Sequence, residues 1–232
     1  MTRPLPFASA FALLLASCSS QIHGEYPWPG GADADQRACD QGESKACVHL
    51  GIAATSGYGI ALDSERAETA YRRACDLGDL EGCTSLAIHW TGRGIAENER
   101  RACGLLVRTC ERGGAQACTF AGHCYRGTLG SGAVIQDPRA AIHYFERACT
   151  LGDGGACQIA GRSYERGDGI PKDALSAAER YRRGCELGDG SACLALSAML
   201  SNGAGIPQDE SAAKHYWDAG CRIIVTEPCV SF

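Results

Sequence analysis

The side chains with the most chemical potential in this chain are its cysteines. Residues 73–83 read RACDLGDLEGC, which places Cys75 and Cys83 eight positions apart around a Leu-Gly-Asp turn. The same spacing recurs at Cys39/Cys47, Cys110/Cys118, Cys149/Cys157, Cys185/Cys193 and Cys221/Cys229. Paired cysteines serve three kinds of chemistry: zinc binding, dithiol redox exchange and covalent cross-linking. A tetrahedral zinc site needs four ligands, usually with one pair two to four residues apart, and each isolated pair here offers only two. A redox dithiol needs a thiolate of lowered pKa, and nothing explains why one should be copied at every repeat. The spacing therefore favours a staple over a metal site or a redox site. Closing so small a loop contributes about 2–3 kcal/mol per bridge in the chain-entropy account.

Other chemistry-bearing residues do not assemble into a constellation. The histidines (His23, His49, His89, His123, His143 and His215) show no H-E-x-x-H spacing, and G-x-S-x-G is absent. Residues 211–214, Ser-Ala-Ala-Lys, match the S-x-x-K nucleophile motif, in which a serine stands one helical turn from a lysine. The register-equivalent stretch 176–179 is Ser-Ala-Ala-Glu, and neither S-D-N nor K-T-G occurs. Ser211 thus reads as a helix-surface residue, and we expect no catalytic residue, no cofactor and no metal.

The elements that position the cysteines follow from the period. First cysteines of successive pairs lie 36, 35, 39, 36 and 36 residues apart, a repeat length that belongs to stacked helical hairpins. Two helix types alternate. One is seen in CTFAGHCYRG (118–127) and CQIAGRSYERG (157–167), with small and apolar residues at helical spacing. The other is seen in SERAETAYRRACDLG (64–78), PRAAIHYFERACTLG (138–152) and ALSAAERYRRGCELG (174–188). Asp63, Asn98, Asp137, Asp173 and Asp209 stand where a side-chain oxygen can cap the next helix, and Pro138 fits a first helical position. Gly78, Gly113, Gly152 and Gly188 stand just past the other helix end, where the chain enters a left-handed conformation. Gly-x-Gly-Ile recurs at 57–60, 92–95, 167–170 and 203–206, with a three-residue insertion near 128–133 in the remaining copy. The first cysteine of each pair falls in the last turn of one helix and the second in the first turn of the next. Cys103 and Cys124 stand outside the six pairs at similar heights in one hairpin. Six residues leave Cys124 about 100° short of the face of Cys118, so a seventh bridge and two free thiols both stay open.

The pattern C-x-x-L/A-G-x-x-Y-x-x-G, then G-x-G-I-x-x-D, then A-x-x-Y-x-x-A-C-x-L-G-D resembles the Sel-like (Sel-one) repeat, a relative of the tetratricopeptide repeat. With cysteines at fixed places it is similar to the Helicobacter cysteine-rich proteins, secreted arrays of disulfide-linked hairpins. The resemblance covers residues 33–229 and implies an all-α solenoid of αα-hairpin repeats of about 36 residues. It also implies protein-interaction scaffolding, and, because some cysteine-rich members carry the name β-lactamase, an alternative as a β-lactam or peptidoglycan-fragment binder with weak hydrolysis. Two departures stand out. Residues 97–112, ENERRACGLLVRTCER, lack the usual aromatic, and Leu200 replaces the aromatic found at Trp90, Tyr125 and Tyr164. Those three share one repeat position and read as packing residues, not a binding cage.

The N-terminus, MTRPLPFASAFALLLASC, carries Arg3, an apolar run from Phe7 to Ala16 and small residues before Cys18. It reads as a secretory signal over 1–17, and Leu15-Ala16-Ser17-Cys18 resembles a bacterial lipobox, which implies acylation of Cys18. Acyl chains hold a protein on a membrane without a spanning helix. Residues 18–32, rich in proline and glycine, read as a tether with Trp28 inside a semi-rigid spacer, and 33–232 as the array. Fifteen cysteines among 232 residues point to an oxidising compartment. A net charge of −5 without any Lys/Arg run argues against nucleic-acid binding. The expectation is a lipid-anchored envelope protein that binds a protein or peptide.

Overall fold

The computed structural model describes residues 25–92, 95–130 and 136–224. Cys18, the signal-like segment and Cys229 lie outside them. The described residues form helices and turns, with no strand among them, and divide between Ala74 and Cys75 into two compact units.

The first unit holds α1 (Gly31–Asp40), α2 (Ser44–Ser56) and most of α3 (Ser64–Asp76). Its core gathers Cys39, Cys47, Val48, Leu50, Ala70 and Ala74. Helix α2 meets α3 by a size match: a Cβ on Gly51 would lie 2.3 Å from Cε1 of Tyr71, so only glycine admits the ring. The Tyr71 hydroxyl reaches Thr55 Oγ1, one turn beyond Gly51, at 3.3 Å. Arg73 donates from Nε to the Cys39 carbonyl and from Nη2 to the Asp40 carbonyl, both at 2.8 Å, and so satisfies the end of α1 from a neighbouring helix.

The folded part begins before residue 33. Trp28 stacks on the His49 ring with centroids 4.3 Å apart, and the Tyr26 hydroxyl donates to Asp35 Oδ2 at 2.6 Å. Asp35 Oδ2 also lies 3.2 Å from His49 Nδ1. Burial and the Asp35 carboxylate push the Tyr26 pKa up. Trp28, expected within a spacer, is instead a packing residue of the first hairpin, because its ring and that of Tyr26 find α2 and the Gly59 turn beside them.

The second unit continues with α4 (Leu80–Thr91), α5 (Ala96–Glu111), α6 (Ala115–Arg126), α7 (Pro138–Thr150), α8 (Gly154–Arg166), α9 (Ala174–Glu186), α10 (Gly190–Asn202) and α11 (Glu210–Ile224). Each helix packs mainly on its neighbours in sequence, the pattern of a solenoid. Two turn types alternate between them. At the Leu-Gly-Asp turn, Gly152 and Gly188 take φ of +99° and +86°, and the following aspartate caps the next helix. Asp79, Asp153 and Asp189 accept from the amides of Gly82, Ala156 and Ala192 at 3.0, 3.0 and 2.7 Å.

At the longer turn, Asp137, Asp173 and Asp209 each act twice. Their amides donate back to the carbonyls of Tyr125, Tyr164 and Leu200 at 2.9–3.0 Å, and their carboxylates accept from Ala140, Ser176 and Ala212 at 2.9–3.1 Å. Asn98, expected to do the same, does not. Helix α5 starts earlier, at Ala96, with Ile95 as an N-cap that makes no side-chain bond. Glu97 and Glu99 favour that earlier start because carboxylates in a first turn meet the positive end of the helix dipole.

The size match recurs. A Cβ on Gly122 would lie 2.7 Å from Phe145, and one on Gly161 would lie 2.7 Å from Tyr181. Phe145 and Tyr181 are fully buried. The residue one turn beyond each glycine then suits the ring tip: Glu165 accepts from the Tyr181 hydroxyl at 2.7 Å, whereas Arg126 lies 4.5 Å over the Phe145 ring, which has no hydroxyl. At the same register in α4 and α5 stand Ala87 and Leu106, both fully buried. The missing aromatic at residues 97–112 is thus matched by a larger partner in place of glycine.

Candidate functional site

The structure joins Cys39–Cys47, Cys75–Cys83, Cys110–Cys118, Cys149–Cys157 and Cys185–Cys193, with Cα separations of 4.4–4.8 Å. Cys221 is disulfide-bonded as well. Cys229, the partner its spacing assigns, lies outside the described residues, as does Cys18.

Cys103 and Cys124 are also joined, across a Cα separation of 5.9 Å. The rotation argument put Cys124 off the face shared with Cys118, yet its position, six residues after the second cysteine of a pair, points into the hairpin. Ala53, Ser163 and Met199, all buried, occupy the same position, as does the half-buried His89. The small or apolar character of three of these four residues was a partial signal in the sequence. The wider separation fits a bridge set nearly two turns from the loop, where the two helices have moved apart.

Among the described residues no group of three or more His, Cys, Asp or Glu side chains is gathered as a metal site. No helix among them is long and apolar enough to cross a membrane. Ser211 is exposed in the first turn of α11, and Lys214, also exposed, directs its ammonium to Asp218 at 3.3 Å.

The repeated aromatics sit in contacts between helices. Trp90 is buried beneath the Arg101 guanidinium, 4.8 Å away. Tyr125 stacks on Tyr144 at 5.3 Å, and Tyr164 donates to Glu146 Oε1 at 2.9 Å, an oxygen that also accepts from Arg180 Nε at 2.9 Å. Burial and the Glu146 carboxylate raise the Tyr164 pKa. These rings hold adjacent helices together and do not form a cage.

Among the positions that vary between repeats are those five and eight residues after the second cysteine. The first series reads Ile52, Ile88, His123, Arg162 and Ala198; the second reads Thr55, Thr91, Arg126, Glu165 and Ser201. At these two positions the basic side chains, His123, Arg126 and Arg162, fall on α6 and α8. The fields overlap. Burial first, then Arg126 and Arg162, lower the His123 pKa, while Asp153 opposes them. Burial and Arg162 likewise lower the Arg126 pKa. Sequence reasoning missed these residues because it tested the histidines for motif spacing and the arginines only for runs, whereas the signal lay in comparing repeats position by position.

Known proteins agree with the architecture. The Sel1 repeat pattern matches residues 44–79, 81–114, 115–153, 155–189 and 190–222. No curated protein matches the sequence significantly. Among solved structures, a Sel1 repeat protein from Oxalobacter formigenes is 21% identical, with a TM-score of 0.66 over 83% of this chain and 84% of that one. The immunity protein PA5088 from Pseudomonas aeruginosa is 19% identical, with a TM-score of 0.57 over 87% of this chain and 75% of that one. Cysteine rich protein B of Helicobacter pylori is 26% identical over 57% of this chain and 92% of that one, with a TM-score of 0.45. The disulfides belong to an oxidising, extracytoplasmic setting. With five consecutive matches covering most of its length, the chain belongs to the Sel1 repeat family, whose members generally serve as scaffolds for protein–protein interaction.

Proposed function

We propose that this protein is a lipid-anchored scaffold of the bacterial cell envelope that binds a protein or peptide partner through the variable positions of its repeats. Cleavage after residue 17 leaves Cys18 to be acylated, and the tether then runs only as far as Tyr26 and Trp28, which pack on the first hairpin. The observation that carries the binding role is the stapling of successive hairpins by disulfides. A surface held in one geometry loses little conformational entropy on association, which favours recognition. The recurring positions, Gly51, Tyr71, Gly122, Phe145, Gly161 and Tyr181, are consumed by packing, so the partner meets those varying positions that stay exposed.

Affinity capture from detergent-solubilised envelope tests this reading, with the native chain and a reduced, alkylated chain as baits. A specific partner retained by the native bait, indifferent to Ser211→Ala and lost from the reduced bait is the expected result. Failure to retain a partner, together with nitrocefin turnover that disappears in Ser211→Ala, overturns the scaffold in favour of an enzyme. The anchor has its own readout: Cys18→Ala releases the protein from membranes, and continued membrane fractionation counts against acylation.

A further inference from the structure

The bridge Cys103–Cys124 has a positional counterpart in the hairpin of α7 and α8. Ile142 stands seven residues before Cys149, as Cys103 stands before Cys110, and Ser163 stands six after Cys157, as Cys124 stands after Cys118. No covalent bond closes this second hairpin there. Beside Ile142 and Ser163 lies a cavity of about 160 Å³, walled also by Tyr125, Arg126, Gln136 and Asp168.

Arg126 is the half-buried cation in that wall. Its Nη2 donates to Ser163 Oγ at 3.2 Å and its guanidinium covers the Phe145 ring, so both its contacts are neutral. The charge of Arg162, on α8, disfavours the charged form of Arg126, and that of Asp168 favours it. Asp168 is the carboxylate at the exposed rim of the cavity. The repeat does not fix an arginine here: Thr55, Thr91, Glu165 and Ser201 fill the equivalent positions, and Arg126 faces a ring without a hydroxyl. Burial weighs most against the charge of Arg126, and an anion entering the cavity supplies the charged hydrogen-bond partner that Ser163 and Phe145 do not. A guanidinium offers five N–H donors in a planar fork that matches two carboxylate oxygens.

We infer that this cavity is a carboxylate-binding subsite that takes either an acidic side chain or the C-terminal carboxylate of a protein partner. The volume admits a carboxylate on a short stem and excludes a folded element. Asp168 at the rim tolerates a single negative charge better than a dianion, which favours carboxylate over phosphate. The inference deepens the scaffold reading and rests on it, naming where the partner is gripped and by what chemistry.

Amide chemical-shift titration of the detergent-solubilised full chain tests the site with three probes. These are an N-acetylated pentapeptide of Gly and Ala with a free C-terminus, its C-terminal amide, and the amide bearing a central Glu. Saturable shifts at Ile142, Ser163 and Asp168 with the first or third probe, and none with the neutral amide, are expected; which of the two binds identifies the carboxylate source. Arg126→Gln should weaken that binding at least tenfold, and Arg126→Lys should weaken it less. Unchanged disulfide content and helicity of each variant exclude misfolding as the cause. Binding of the neutral amide, binding unaltered by both Arg126→Gln and Arg162→Gln, or tighter binding of inorganic phosphate than of either carboxylate probe overturns the assignment. The two readings fail separately. A captured envelope partner that ignores Arg126→Gln sinks this subsite and leaves the scaffold standing, whereas probe binding without any captured partner does the reverse.

Discussion

The hairpins of α5–α6 and α7–α8 are built from one template and close in opposite ways. In the first, Cys103 and Cys124 add a second bridge behind the staple Cys110–Cys118. In the second, the staple Cys149–Cys157 stands alone, and Ile142 and Ser163 face a cavity that Arg126 enters from α6. The packing before each hairpin differs too. Leu106 fills the slot opposite Ala87, while Phe145 fills a deeper slot left by Gly122. The α5–α6 hairpin therefore relies on covalent closure where the α7–α8 hairpin relies on an aromatic ring. Backbone repetition fixes where the positions lie, and the residues at them decide whether a position is sealed or open.

The largest effect should come from the ring. Phe145→Ala removes a fully buried side chain opposite a glycine that cannot fill the gap, and should cost about 3–5 kcal/mol by denaturant unfolding. Leu106→Ala removes a smaller side chain beside a slot that Ala87 partly fills, so its cost should fall at the lower end of about 2–5 kcal/mol. Equal costs would break the contrast between the two hairpins.

Next comes the bridge. The double replacement Cys103→Ala/Cys124→Ala should lower stability by about 2–3 kcal/mol without changing the other pairings, as non-reducing peptide mapping can check. The reciprocal change, Ile142→Cys/Ser163→Cys, sharpens the comparison, because equivalent positions should form a bridge in oxidised protein and leave no added free thiol. Two titratable thiols after that change would show that the hairpins differ in backbone as well as in side chains.

Much of this was legible in the residues themselves. The helix alternation, five of the six staples and the glycines past each helix end follow from spacing and turn chemistry, and the described bridges and the positive φ of Gly78, Gly113, Gly152 and Gly188 match them. What escaped the sequence is what depends on how helices meet. Cys124 is turned inward by hairpin geometry, not by its angle along α6. Arg73 and Arg147 reach back to carbonyls at the end of a preceding helix, Asp40 and Glu111, across 33 and 36 residues, and nothing local marks them for it. The cavity beside Arg126 is an absence between side chains, and it became visible only once Ile142 and Ser163 were known to share a wall.

Helix starts offer a smaller test of the same comparison. Asp137 caps α7, but Asn98, at the same repeat position, lies inside α5. Asp137→Ala should cost about 1 kcal/mol, within the range for a lost N-cap. Asn98→Ala should stay within about 0.5 kcal/mol, as for a surface substitution away from a cap. A loss at Asn98 equal to that at Asp137 would mean that α5 begins where the repeat pattern places it and not at Ala96.

Acid titration separates capped from uncapped starts with the least perturbation. The Asp173 carboxyl is held below its ordinary value of 3.8, chiefly by the Ser176 side chain, which donates to Oδ2 at 2.7 Å, and then by the Ser176 amide on Oδ1 at 3.1 Å. A pKa depressed in the folded state means that the charged form is the one the fold binds better. Its contribution is therefore complete above the unfolded value and disappears as pH falls through the lower folded one. The first turn of α9 should accordingly loosen only below the ordinary carboxylate range, seen as faster amide exchange at Ser176. The start of α5, where Ile95 offers no carboxylate, should not respond to a cap's titration. Replacing Ser176 by Ala removes the largest cause and should move the Asp173 titration upward, toward the ordinary value, with the backbone bond left in place. Carbon-detected titration of the Asp173 carboxyl reads this directly. An unshifted Asp173 in the native chain, or no upward movement in Ser176→Ala, would show that the cap is not what holds the start of α9, and the contrast with α5 would have to rest on sequence alone.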